Sequence, residues 1–78
     1  MIWFEYQIRS GLVTSNIDGE SFQGLVNYVV TSLGSSYDWL AGYHFVMMNG
    51  SHGIYISLPM WECFKEYSQL MEWECRDV

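Results

Sequence analysis

Positive charge is scarce in this chain: three Lys or Arg stand against nine Asp or Glu, for a formal net charge of −6 over 78 residues. Nucleic-acid binding draws on basic groups that displace condensed counterions, so direct contact with DNA or RNA is disfavoured and a basic protein is the better-matched partner. Cysteine is nearly as rare. Two thiols, Cys63 and Cys75, are too few for a disulfide-dependent miniprotein. Placed on one helix they would lie about 18 Å apart, beyond disulfide reach, so reduced thiols are expected.

Long apolar runs are also missing. The longest candidate, Tyr43 to Met48, already contains His44, whereas a membrane helix needs about eighteen uninterrupted apolar residues. The opening Met1-Ile2-Trp3-Phe4-Glu5 carries an acid and no basic stretch, unlike a secretory signal, and a cytoplasmic location is expected. The seven glycines are scattered and never form GxGxxG or GxxxxGK(S/T), which leaves no nucleotide-binding signature and no cofactor implied.

What the chain does have is apolar and aromatic mass, at 50% and 18% of residues. A chain of this length buries only about 60% of its unfolded surface, so it supports one core, and residues 1–78 are read as a single compact domain. Large rings, each removing roughly 150–250 Å² from water, make that core feasible.

The pattern along the chain changes period twice. From Ile2 to Arg9 the residues alternate, with Ile2, Phe4, Tyr6 and Ile8 on one side and Trp3, Glu5, Gln7 and Arg9 on the other, as in a half-buried strand. Ser10-Gly11 can turn the chain into a short return strand, Leu12 to Ser15. Phe22, Leu25, Val26, Val29 and Leu33 then recur at helical spacing. Asp18 suits the N-cap, Ile17 and Phe22 a hydrophobic staple, and Gly34 the stop. Gly24 is the awkward residue, costing about 1 kcal/mol inside a helix.

Beyond Ser35-Ser36, two β-prone stretches, 43–48 and 53–58, flank the hairpin dipeptide Asn49-Gly50. Pro59 marks the first turn of a second helix, expected to run to about Glu74 with Met60, Cys63, Phe64, Tyr67, Leu70 and Met71 on its core face. The expected fold is therefore α+β: a small antiparallel sheet of three or four strands with two helices packed on one face, in ββαββα or βαββα order. Turns thirty-nine residues apart hint at a ββα duplication, although side-chain identity between the halves is negligible.

Chemistry has weak signals. Cys63, His44, His52 and Asp38 could supply a nucleophile, a base and an orienting acid, but Met60-Trp61-Glu62-Cys63-Phe64 resembles no nucleophile motif and puts the thiol on the apolar helix face. His44, His52, Cys63 and Cys75 could complete a tetrahedral zinc site, yet they lack the close ligand pairs such sites use. Neither a catalytic nor a metal site is expected.

The strongest constellation lies on the second helix. At 100° per residue, Glu62, Glu66, Gln69 and Trp73 fall on one stripe opposite the core face, with Lys65 and Glu72 beside it and Glu74 following. Like charges at i and i+4 cost an isolated helix about 0.2–0.5 kcal/mol, a cost that a basic partner would relieve around an exposed indole. Glu62, Glu66, Gln69, Glu72, Trp73 and Glu74 are thus the candidate partner-binding residues. The corresponding expectation is a non-enzymatic inhibitor whose acids mimic phosphates and block a nuclease or other nucleic-acid-handling protein. Phage anti-defence proteins such as anti-CRISPR or anti-restriction factors, and toxin immunity proteins, belong to this functional class, which is inferred from size and charge only. The alternative is a small oligomeric domain binding a ligand, or performing chemistry, at a subunit interface. In that reading Trp3, Glu5 and Tyr55 on the outer sheet face would serve a homodimer.

Overall fold

The computed structural model describes residues 1–34, 46–48 and 51–78. The elements are β1 (Trp3–Gln7), β2 (Leu12–Ser15), α1 (Gly19–Leu33), β3 (Val46–Met48), β4 (Ser51–Tyr55), α2 (Leu58–Met71) and β5 (Glu74–Asp77). The α+β class, the two helices and the ββαββα order agree with the sequence pattern. The sheet extends beyond it, having among the described residues five strands in the order β3-β4-β2-β1-β5, the last of them parallel to β1 and the other neighbours antiparallel.

The first hairpin forms because alternation puts Phe4 and Tyr6 on the face that β2 continues with Val13 and Ser15, in the register Phe4↔Ser15 and Tyr6↔Val13. The connection is longer than a Ser10-Gly11 turn. It takes Ile8 to Gly11, leaves Ile8 62% exposed instead of inward, and closes on Gly11 at φ 76°. A side chain at Gly11 would also press on the Ile56 carbonyl, 3.0 Å from its Cβ position. The second hairpin pairs Met48 with Ser51 and Val46 with Gly53; its Asn49-Gly50 turn lies outside the described residues.

Helix α1 starts as its sequence dictates. The Asp18 carboxylate accepts from the Ser21 amide at 2.7 Å and from the Ser21 hydroxyl at 3.0 Å, and Ile17 and Phe22 are both buried beside the cap. Gly34 ends it at φ 93°, donating to the Val30 carbonyl. Gly24 has a packing reason, since a Cβ there would sit 3.0 Å from the Tyr67 hydroxyl of α2. Its absence lets the two helices approach.

Helix α2 departs most from expectation. It stops at Met71 rather than near Glu74, because Glu72 adopts the left-handed conformation, φ 61° and ψ 37°. The Glu72 amide then donates to Gln69 and the Trp73 amide to Ser68, with Trp73 packed edge-on against Tyr67 at 5.4 Å. Those two bonds and the apolar contact make a Schellman ending without its usual glycine. The buried face is also rotated. Met60, Trp61, Cys63, Phe64 and Ser68 face the core, while Leu70 and Met71, expected there, are 70% and 47% exposed.

One apolar cluster unites Phe4, Tyr6, Val13 and Ile54 of the sheet with Phe22, Leu25, Val26 and Val29 of α1 and Met60, Trp61 and Phe64 of α2, so both helices lie on the same face. The halves correspond in position as well as order. A shift of thirty-nine residues carries β2 onto β4, Asp18 onto Ser57 and the start of α1 onto that of α2, and Thr14, which it maps to Gly53, is paired with Gly53 in the sheet. The two ββα halves are therefore arranged about a pseudo-twofold centred on the β2–β4 pair, with β5 added at one side.

Two outcomes test this packing. Phe64→Ala, at a fully buried site, should cost about 3–5 kcal/mol in denaturant unfolding, whereas Leu70→Ala should stay within about 0.5 kcal/mol. Equal losses would restore Leu70 to the core. The Ser21 amide, and then its hydroxyl, hold the Asp18 carboxyl below the ordinary aspartate range. A depressed folded-state pKa gives stability that is present above the unfolded value and lost as pH falls through the folded one. Asp18→Ala should therefore lower the thermal midpoint at pH 7 and flatten its fall below about pH 4.

Candidate partner-binding surface

Four of the six candidate residues are exposed as the helical spacing requires or close beside it. Glu62, Glu66 and Gln69 stand on the outer side of α2, and Glu72 is the left-handed residue just past its end. Each acid on the helix also has a contact within the fold. Lys65 reaches Glu62 at 3.2 Å, and the Tyr28 hydroxyl of α1 donates to Glu66 at 3.1 Å. Deprotonating Tyr28 would forfeit that bond beside a carboxylate, so Glu66 foremost, with desolvation next, pushes the phenol above its usual range. Glu74 is exposed on β5, 3.6 Å from Arg76. Arg9, in the β1–β2 connection, takes no part in these ion pairs.

Trp73 is not the exposed indole that its spacing suggested. Because the helix ends two residues earlier, Trp73 leaves the stripe and packs, half-buried, between Tyr67 and Phe4, with ring centroids 5.4 Å and 5.9 Å away. The exposed apolar groups beside the acids are instead Leu58, Leu70 and Met71. Spaced four residues apart, Leu58, Glu62, Glu66 and Leu70 form an exposed row along the helix, with two carboxylates flanked by two leucines.

Sequence reasoning missed Trp61, the largest fully buried side chain among the described residues. It stacks on Tyr6 at 4.8 Å and donates its Nε1–H to Asp77 Oδ1 at 2.7 Å, tying α2 to β1 and β5 together. Its spacing of three from Phe64 and seven from Ser68 was the available signal.

The cysteines occupy different elements, Cys63 on α2 and Cys75 on β5, and both are free thiols. Burial pushes both thiols up, away from thiolate character; at Cys75 a smaller opposing influence comes from the Ser68 hydroxyl, which itself is buried without a well-formed hydrogen bond. His44 and Asp38 lie outside the described residues, as does the side chain of His52. Among the described residues, no three His, Cys, Asp or Glu side chains converge on a metal position and no helix is long and apolar enough to cross a membrane. On the outer sheet face Tyr55 is 68% exposed, and Trp3 is half-buried with the Arg76 guanidinium 5.8 Å from its ring.

No protein family, curated protein or solved structure gives a match to this chain.

The Trp61–Asp77 bond can be isolated by a double-mutant cycle. Trp61→Phe, Asp77→Ala and their combination should reveal a coupling of about 1–2 kcal/mol, the range for a partly exposed hydrogen bond to a charged acceptor. Additive losses would show that Asp77 contributes nothing through the indole.

Proposed function

We propose that this protein is a non-enzymatic binding domain that docks the outer face of α2 on a basic protein surface and so blocks a nuclease or other nucleic-acid-handling protein. The observation that carries the reading is the exposed row of Leu58, Glu62, Glu66 and Leu70, with Gln69 and Glu72 alongside, on a molecule of net charge −6. Glu62, Glu66, Glu72 and Glu74 would occupy positions that phosphates take in the partner's groove, and Leu70 and Met71, rather than Trp73, would supply the apolar contact. Anti-CRISPR, anti-restriction and toxin immunity proteins are the functional class this reading fits. The opposite charges would act chiefly on encounter, since surface carboxylates steer association through long-range fields.

The test uses a basic partner recovered from host extract at low salt. Binding should weaken as salt rises, and Glu62→Lys with Glu66→Lys should slow association about ten-fold or more while changing dissociation less. Loss of binding in Leu70→Asp should appear mainly as faster dissociation. Capture that is insensitive to salt and indifferent to all three substitutions would overturn the proposal. A reading based on Cys63 chemistry gains no support, because burial disfavours its thiolate.

A further inference from the structure

Among the described residues, strand β5 is the outermost strand on its side of the sheet, and an edge of this kind presents unpaired backbone groups to whatever can join it. Which groups face outward follows from the parallel ladder. The Glu74 amide donates to Ile2, the Val78 amide to Tyr6, and the Val78 carbonyl accepts from Ile8. Parallel strands alternate, so Glu74, Arg76 and Val78 turn their backbone groups toward β1, and Cys75 and Asp77 turn theirs to the open edge. Side chains alternate across the sheet. Phe4, the register partner of Cys75, lies in the core, which puts Glu74 and Arg76 on the opposite, outer face.

We propose that β5 pairs antiparallel with β5 of a second copy of this chain, about a twofold axis at Cys75, to join the two sheets edge to edge. Charge selects both the occupant and the register. An antiparallel pair must set outward residues against outward residues, and a twofold can then fall on any residue of the strand. Centred on Glu74, Arg76 or Asp77, it brings identical charges directly opposite each other, which is destabilising. Centred on Cys75, it sets Glu74 of each copy against Arg76 of the other, on the same face and at the closer, non-hydrogen-bonded positions. The Cys75 backbones meanwhile exchange hydrogen bonds. The strand is thus self-complementary in one register only. The Glu74–Arg76 pair within one copy, 3.6 Å apart with each side chain 52% exposed, is loose enough to be exchanged for the crossed pairs.

This surface is separate from the outer face of α2, and its test is a charge-swap experiment read by sedimentation equilibrium across a concentration series. The wild-type chain should associate to a dimer. Glu74→Lys alone and Arg76→Glu alone should each weaken the dimer on the order of ten-fold or more, because each places like charges opposite at both crossed positions. Mixed together, the two single variants should dimerise with each other, since every crossed pair is again opposite in sign; the double variant Glu74→Lys/Arg76→Glu should dimerise with itself. In the wild type, hydrogen exchange at the Cys75 and Asp77 amides should slow as concentration rises, while the Glu74 amide, already bonded to Ile2, should not change. A wild-type chain that stays monomeric, or single variants whose mixture and double form fail to recover association, would overturn the proposal. So would a dimer whose Cys75 and Asp77 amides gain no protection.

Discussion

The contact on which most of this fold depends is the seating of the Trp61 indole under Tyr6, with its N–H held by Asp77. Helix α2 has to carry the chain from β4, on one side of the β2–β1 pair, to β5 on the other, and β4 and β5 are parallel as such a crossover requires. A crossover helix is only as well placed as its contact with the strands beneath it. Trp61 and Phe64 make that contact against Tyr6 and Phe4, and Asp77 bonds to the indole from the strand that the helix delivers. From there rings continue through Trp73 and Tyr67 to Tyr28, so α1 is joined to the same aromatic chain. This explains how so short a sequence sustains two helices on a five-stranded sheet.

The symmetric arrangement of the two ββα halves clarifies why β5 is where it is. Two ββα units that share the β2–β4 pair give four strands related by the pseudo-twofold, with hairpin strands β1 and β3 outermost. After α1 the chain must pass on to the second hairpin. After α2 the chain returns beneath the helix to the free side of β1 as β5. The left-handed Glu72 makes that return possible within two residues, at a conformational cost that glycine would avoid. Trp73 then fills the space under the turn, and Ser68 and Cys75 are brought near each other inside.

Much of this was legible in the sequence because the signals were local and mutually consistent. Asp18, Ile17 and Phe22 announce the start of α1, its apolar spacing gives the correct buried face, and alternation from Trp3 to Gln7 gives β1. The errors cluster where a distant partner overrides a local rule. No glycine marks the end of α2, so its periodicity runs on past Met71, and an extension of about three residues places the half-buried Trp73 on a surface stripe. A separate rotation of the helix face turns Leu70 and Met71 outward and Trp61 inward, since the true face is defined by Tyr6 and Asp77, neither of which is near Trp61 in sequence. Strand β5 carries Glu74, Arg76 and Asp77 in four residues, a composition that resembles a solvated tail until β1 is available to pair with it.

The packing of Trp73 against Tyr67 and Phe4 changes the physical logic of the acidic helix rather than removing it. Repulsion between Glu62 and Glu66 is partly met at home, by Lys65 on one side and the Tyr28 hydroxyl on the other, so it is a weaker reason to invoke a partner than the spacing alone suggested. Exposed leucines are the stronger reason. A solvated helix face can hold carboxylates at little cost, but Leu58 and Leu70 gain nothing from water, and the rotation of α2 that buries Trp61 is what leaves them outside. The same side chain that anchors the crossover therefore sets which residues the helix offers outward, and core geometry and surface chemistry are not independent in this fold.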